Sequence, residues 1–228
     1  MHKNKLINLF PLTIYQSKIE IDEDYKNELI KNILDDEKKN PKNSKGSWTG
    51  DVMGNEYLHN NKLFKKLYSF ISENIKIYFS QLGINKNHVS VNFQRSWATI
   101  SRQDQAISEH IHSQSHISFA YYLKFPDKSG GIFFKDEKKS NEIIKDIFQI
   151  NSMKQGLITG NQLNADIVRF EPKENDIFIF PSKALHGTYS GKNNEPRISM
   201  SSDILLTLNE GQKRIEKGIP DPSLWKKF

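Results

Sequence analysis

Cysteine is absent from the 228-residue sequence. This absence excludes disulfides, thiolate nucleophiles and thiolate metal sites. Any metal ion must therefore be held by histidine, aspartate or glutamate side chains. A chain without disulfides also fits a cytoplasmic location, which is the compartment we expect.

Long apolar runs are lacking as well. No stretch approaches the roughly 18 apolar residues of a membrane span. The start of the chain holds one short apolar run, Leu6 to Pro11, without a small-residue cleavage site, so we expect no signal peptide. We therefore predict no membrane partner.

Neither sign of charge dominates. The sequence has 33 basic and 27 acidic residues, a net charge of +6, and the lysines mostly alternate with acidic residues, which is typical of a solvated surface. No basic run carries interleaved aromatic residues, so nucleic-acid binding has no support in the sequence. The oligomeric state stays open between monomer and homodimer.

Aromatic residues are present in quantity. They make up 11% of a chain whose mean hydropathy is −0.66, and because each buries a large area they can form a core in a polar chain. The length fits one domain, residues 1–228, and no internal repeat or low-complexity linker divides it.

The N-terminal part, residues 1–88, is predicted to be mostly helical. Apolar spacing predicts helices over 22–38, capped by Asp22, and over 62–82, ended by Gly83. Residues 6–16 are predicted to form a strand broken by a proline, and 39–61 a loop anchored by Trp48.

From residue 89 the pattern changes to short strands with period two. They are predicted over 89–100, 116–125, 131–135, 166–171, 176–181, 185–190 and 196–208, with an insertion at 136–162. The tail, 209–228, is polar, and Trp225 is predicted to dock it. Two helices followed by many strands predict a mainly β, α+β fold: a cupin-like jelly roll, or double-stranded β-helix, over 89–208, with the helices packed on it.

Histidines cluster at one place in the chain. His110, His112 and His116 lie within EHIHSQSHIS, and His186 precedes the last predicted strand. Because residues i and i+2 of an extended chain face the same side, His110 and His112 can aim at one point. With His186 they could cap one face of an octahedral ion and leave three positions open for O₂ chemistry. An H-x-H pair alone is also common among structural histidines. The remaining histidines are expected at the surface: His2, His59 and His88.

Arg197 and Ser199 follow His186 on the last predicted strand and face the same way. An arginine offers a rigid two-pronged donor for a carboxylate, and the serine adds a hydroxyl. A buried arginine needs an anionic partner. The alternative is a structural salt bridge to Asp176 or Asp203.

These motifs, taken together, resemble the 2-oxoglutarate- and iron(II)-dependent oxygenases, and more narrowly a family of small members from bacteria and phages. The resemblance covers most of the chain. Its segments are NLFPLTIY, SWTGD at 47–51, the run from SWATI through HIHSQSHIS and AYYLKFP to SGGIFF, and FIFPSKALHGTYSGKNNEPRISMS.

The resemblance implies roles for individual residues. His110, His112 and His186 match the iron ligands, which are the only catalytic groups implied. The cosubstrate's far carboxylate is matched by Arg197, Ser199 and Tyr122. Gly130 and Gly131 match a Gly-Gly pair before a strand, and they could equally be an ordinary turn. Two further residues could line the pocket or be structural: His116 and Trp97.

The implied reaction is hydroxylation of a substrate, with 2-oxoglutarate converted to succinate and CO₂. One departure is His112, because the wider superfamily has aspartate or glutamate there. Glu109 or Asp104 could supply a carboxylate instead.

Two other functions remain possible at this stage: a three-histidine jelly-roll enzyme that does not use 2-oxoglutarate, and a non-catalytic cupin-like binding protein. The sequence does not identify a substrate, whose choice we expect loops 39–61 and 136–162 to determine.

Overall fold

The computed structural model describes residues 5–42, 45–212 and 219–227, and its strands are short and antiparallel. In chain order the strands are β1 (Tyr15–Lys18), β2 (Trp48–Thr49), β3 (Val89–Ser101), β4 (Ile117–Lys124), β5 (Ile132–Lys135), β6 (Ile167–Phe170), β7 (Asp176–Pro181), β8 (His186–Thr188) and β9 (Arg197–Leu208). The helices are α1 (Glu23–Lys39), α2 (Lys65–Gln81) and α3 (Ile150–Lys154). All seven strands predicted after residue 88 are found within two residues of their expected bounds.

The strands form two sheets. The larger has the order β1-β7-β4-β9-β3-β2, and the smaller has the order β6-β5-β8. Every strand pair in both sheets is antiparallel. Chain neighbours such as β3 and β4 lie on either side of β9, so the connections cross between strands as a jelly roll requires.

The two long helices cover the outer face of the larger sheet. Side chains such as Leu29 and Ile33 of α1 and Leu67 of α2 are buried in one cluster with Phe119 of β4 and Met200 of β9. The other face of the same strands packs on the smaller sheet through a second cluster of Tyr122, Phe178, Phe180, Ile132 and Phe134. Period-two alternation thus sends one set of side chains to the helices and the other to the space between the sheets.

Both predicted long helices form, but α2 begins three residues later than its apolar spacing predicts. Asp22 caps α1 by accepting a hydrogen bond from the backbone N–H of Tyr25 at 2.9 Å. A 3₁₀ turn, Lys62–Phe64, occupies the first residues of the second predicted helix. Gly83 follows α2 with φ of 77°, the left-handed conformation that ends a helix at little cost only for glycine.

Three expectations outside the sheets were wrong. Residues 6–14 form no strand, and Phe10 is 96% exposed, because only Tyr15–Lys18 finds a partner strand in β7. Trp225 is 66% exposed and docks no tail. His59 is half-buried and packs against Tyr68 and Phe93.

Two further expectations for this part of the chain were met, and two are not tested. His88 is exposed as predicted, and His2 lies outside the described residues. Trp48 is buried and donates from its indole to the carbonyl of Asn40, so it anchors loop 39–61. The single domain of residues 1–228 stays a prediction.

Membrane-spanning helices are not found in the described ranges, where no helix has the length and apolar character to cross a bilayer.

Gly130, in the turn before β5, packs closely against the backbone that follows β8. A Cβ atom on Gly130 would lie 2.1 Å from the Tyr189 carbonyl oxygen and 2.7 Å from the Ser190 carbonyl carbon, both backbone atoms. Gly130 also has φ of 75°. Position 130 therefore requires glycine for two reasons: its backbone is left-handed, and a side chain would collide with the neighbouring backbone.

We expect Gly130→Ala to destabilise the protein more than Gly156→Ala. Gly156 has nearly the same φ, 72°, but nothing within 4 Å of its would-be Cβ. The control should lose roughly 1–2 kcal/mol for left-handed strain, and Gly130→Ala about 1–3 kcal/mol more for overpacking. Urea unfolding measures both losses. Equal losses would contradict the close approach at Gly130.

Candidate metal centre

A cavity lies between the two sheets and opens to solvent at one end. It holds about 110 Å³ of space for water-sized groups. β3, β4 and β9 form one wall and β5 and β8 the other, so regular strands hold most of the lining side chains.

The segment before β4 brings two histidines to the beginning of β8. The backbone of His110 pairs with that of His186 through N–H to carbonyl bonds of 2.8 and 3.1 Å. Two residues on, the backbone N–H of His112 donates to the carbonyl of Ser182 at 2.9 Å. This extended segment turns both of its histidines toward the cavity, as the i, i+2 spacing predicts.

The three imidazoles meet at one point. One ring nitrogen from each of His110, His112 and His186 lies within 4.8 Å of the other two. The ring centroids are 4.4 to 5.2 Å apart. Three donors at this separation can contact a single ion.

Hydrogen bonds behind the rings fix their tautomers. Nδ1 of His110 lies 2.8 Å from the carbonyl oxygen of Ser108, and Nδ1 of His186 lies 2.8 Å from that of Ala184. Since a carbonyl oxygen only accepts, each Nδ1 carries the proton and each Nε2 keeps its lone pair. This is the usual arrangement of a metal-binding histidine.

Burial favours the neutral form of two of these rings. Burial and, to a smaller extent, the neighbouring imidazoles lower the pKa of His186 to about 3, against the opposing effect of its bond to the Ala184 carbonyl. Burial also lowers the pKa of His110, against the opposing effect of its bond to the Ser108 carbonyl. Neutral imidazoles with free Nε2 atoms fit a divalent cation and do not fit an anion.

Arg197 lies at the other end of the cavity with no acidic partner. Its side chain is 1% exposed and donates to the carbonyl of Ser129 and the hydroxyls of Ser101 and Thr188, at 3.1 to 3.2 Å. No carboxylate within the described chain lies in ion-pair distance of it. Burial lowers the pKa of Arg197, so a bound anion would relieve an unfavourable state.

The alternative of a structural salt bridge for Arg197 was therefore wrong. Asp203 is six residues further along the same strand, about 20 Å away at the rise of a β-strand, and it pairs with Arg95. Asp176 begins β7 and accepts a hydrogen bond from the backbone of Lys173.

Ser199 and Tyr122 lie beside Arg197 and line the cavity. Ser199 is the register partner of Tyr122 on β4 and of Thr99 on β3. Burial raises the pKa of Tyr122, so its hydroxyl stays protonated and can donate. The structure thus assembles a guanidinium and several hydroxyl side chains at one end of the cavity.

Of the two residues that could line the pocket, Trp97 does so and His116 does not. Trp97 is 7% exposed, lines the cavity and stacks on His112, with ring centroids 5.8 Å apart and 23° between planes. His116 lies outside the cavity and is exposed; its Nδ1 accepts from the backbone N–H of Leu206. The prediction that His116 lines the pocket was wrong, because β4 begins only at Ile117 and the face of the preceding residue is not set by strand alternation.

Neither candidate carboxylate joins the histidines. Glu109 pairs with Lys135, and Asp104 lies near Lys192 on the surface. In the described chain the cluster of metal-binding side chains consists of the three histidines alone.

Sequence reasoning missed several residues of the site. Thr49 and Asp51 reach the cavity from loop 39–61, and Thr188 reaches it two positions after His186. Asp203 lies directly behind His112, with Oδ1 2.6 Å from Nδ1. The alternation Arg197-x-Ser199-x-Ser201-x-Asp203 could have identified Asp203 from the sequence, since it places all four side chains on the same face of β9.

Comparison with known proteins agrees with this geometry. Residues 95–203, just under half of the chain, match the family model described as "Putative 2OG-Fe(II) oxygenase". That range holds all three clustered histidines and the buried arginine. No curated protein matches the sequence.

Solved structures share the fold at low identity. The non-haem α-ketoglutarate-dependent epimerase SnoN from nogalamycin biosynthesis is 10% identical with a TM-score of 0.56, covering 92% of this chain and 90% of its own. The viral collagen prolyl hydroxylase of Paramecium Bursaria Chlorella virus-1 is 14% identical, at 0.51, covering 83% and 95%. A Pseudomonas putida prolyl-4-hydroxylase is 9% identical, at 0.52, covering 85% and 92%. These likenesses confirm the predicted jelly roll.

We expect the histidine cluster to bind one divalent ion. His110→Ala, His112→Ala and His186→Ala should each weaken Ni²⁺ binding by more than the roughly 10- to 100-fold that outer partners of a ligand contribute. His116→Ala is the matched control and should bind like the wild type, because that ring faces away from the cavity. Isothermal titration measures the affinities. Loss of binding in the His116 variant would contradict the assignment.

Proposed function

We propose, starting from the match of residues 95–203 to the 2OG-Fe(II) oxygenase family model, that the protein hydroxylates a substrate while converting 2-oxoglutarate to succinate and CO₂. Iron(II) and 2-oxoglutarate are its cofactors. The observation that carries the proposal is a buried arginine without an acidic partner in the same cavity as three converging histidines.

Iron(II) would be held by Nε2 of His110, His112 and His186. The fit rests on the three Nδ1 atoms, each of which is committed to an oxygen behind the ring. All three donors belong to one end of the cavity, so the remaining coordination positions would face its interior. Because imidazole ligands carry no negative charge, other groups would have to balance the +2 charge of the ion.

The cosubstrate's far carboxylate would bind Arg197. Its three hydrogen bonds to the protein leave donors of the five-donor guanidinium free. Ser199 and Tyr122 would add hydroxyl donors, since neither has a hydrogen-bond partner in the described part of the chain. A carboxylate seated there would be oriented by charge-assisted bonds, which are stronger than neutral ones.

When bound, iron(II) and 2-oxoglutarate supply the O₂-dependent oxidation of a substrate C–H bond. The chain's own contribution is position and exclusion of water. Ala120, Ile132 and Phe180 give the cavity between the sheets an apolar wall. Phe180 also contacts the ring of His186, with centroids 4.6 Å apart, and so limits its rotation.

The substrate would enter beside loop 39–61. Thr49, Asp51 and Trp97 line the cavity away from Arg197, and the first two come from that loop. Insertion 136–162 contributes no side chain to the cavity lining, so its predicted part in substrate choice is not supported by the lining. Asp51 is the only acidic side chain of the described lining, and a donor group on the substrate could pair with it.

The first test is turnover. Purified protein with Fe²⁺, 2-oxoglutarate, ascorbate and O₂ should form succinate even without its substrate, slowly, and His186→Ala should form none above the protein-free background. Mass spectrometry quantifies succinate. A wild type that binds metal but forms no succinate would favour a three-histidine enzyme independent of 2-oxoglutarate. Failure to bind metal at all would favour a binding protein.

The second test concerns Arg197. Arg197→Gln should weaken 2-oxoglutarate binding to the metal-loaded protein by about 10- to 100-fold, the size of a charge-assisted bond of 1.5–3 kcal/mol. 2-Oxobutanoate, which lacks the far carboxylate, should bind wild type and variant alike. Titration calorimetry with both ligands gives the four affinities. An equal loss for both ligands would contradict a carboxylate contact at Arg197.

A further inference from the structure

His112 differs from the other two clustered histidines in the group behind its ring. His110 and His186 each donate to a backbone carbonyl two residues earlier in the chain. His112 instead has the carboxylate of Asp203 at 2.6 Å from its Nδ1. Both side chains are nearly buried, with exposed fractions of 9% and 6%, so water cannot replace this contact easily.

Asp203 is itself held in place from its other side. Oδ2 lies 3.3 Å from Nη1 of Arg95, its register neighbour on β3. Arg95 lies over the ring of Trp97 at 5.2 Å, and Trp97 stacks on His112. The four side chains form a closed ring of contacts, so the imidazole of His112 is held both in its plane and from its face.

We propose that Asp203 is a positioning residue of the metal site, which fixes the orientation and tautomer of His112 and strengthens its Nε2 as a metal ligand. The inference rests on the proposed function only in taking His112 as a ligand. A carboxylate accepting from Nδ1 places negative charge one residue away from the ion, and an outer partner of this kind typically contributes 10- to 100-fold to metal affinity.

The competing explanation is that Asp203 serves the sheet. Its pair with Arg95 could stabilise β3 against β9, with His112 merely filling a hydrogen bond. The two explanations differ in one respect: a structural role lowers metal affinity, if at all, independently of His112, whereas a positioning role requires the His112 ring to be present.

The experiment is a double-mutant cycle read by Co²⁺ binding, followed by its visible absorption spectrum. Asp203→Asn should weaken Co²⁺ binding by about 10- to 100-fold and change the spectrum, because the ligand field at His112 changes. In a His112→Ala background, Asp203→Asn should have little further effect. Glu37→Gln is the control, since it removes the carboxylate partner of a different arginine, Arg102, and Glu37 does not line the cavity; it should leave Co²⁺ affinity close to wild type.

Three outcomes would overturn the proposal. They are an unchanged Co²⁺ affinity in Asp203→Asn, an equal loss with and without His112, and an equal loss in the Glu37 control. If the wild type binds Co²⁺ but forms no succinate, the oxygenase reaction fails while the role of Asp203 stands. If the wild type forms succinate and Asp203→Asn binds Co²⁺ normally, only this inference fails.

A measurement on the wild type covers the case in which Asp203→Asn does not fold. In the Zn²⁺-loaded protein, proton NMR should show the Nδ1–H of His112 further downfield than those of His110 and His186, because only its acceptor is ionised. Three equivalent resonances, or no Nδ1–H proton on His112, would overturn the proposal.

Discussion

The site depends on holding three imidazole rings and one buried guanidinium rigidly around a single cavity. The three imidazoles converge at one end, and an arginine without an acidic partner in the described chain lies at the other. A desolvated charge without a partner carries a penalty of several kcal/mol in a protein interior. The fold must therefore supply orientation through hydrogen bonds to each group, and it does so from behind every ring and around the guanidinium.

This requirement explains why the apolar core is divided. Strand alternation sends Tyr121 and Met200 toward the two helices and Tyr122 and Arg197 toward the cavity. The helix-covered face supplies most of the burial, at roughly 25 cal/mol per Å² of apolar surface. The cavity face can then carry polar groups, which would be destabilising if all the buried side chains formed one apolar core. Functional sites commonly lower stability in this way.

Much of this could be predicted from the sequence because period two fixes which side a strand residue faces. The strands, the pairing of His110 with His112 and the shared face of Arg197 and Ser199 all follow from that rule. It failed for His116, which lies one residue before β4. The alternative of a salt bridge from Arg197 to Asp203 shows the limit of that rule, because two residues can share one face of β9 and still lie too far apart along the strand to form an ion pair. Residues of loop 39–61 follow neither strand nor helix periodicity, so the sequence does not show which of them reach the cavity.

The charges of the complete site show why a third histidine can stand where a carboxylate is usual. An ion of charge +2 and a dianionic 2-oxoglutarate cancel, which leaves Arg197 as a single buried positive charge. Asp203, one hydrogen bond behind His112, supplies the matching negative charge without occupying a coordination position. Arg95 and Asp51 form a second opposite pair, 3.8 Å apart, so neither adds net charge. The carboxylate missing from the motif is therefore present in the fold, displaced from the metal by one imidazole, and a buried site can remain electrically balanced when both cofactors are bound.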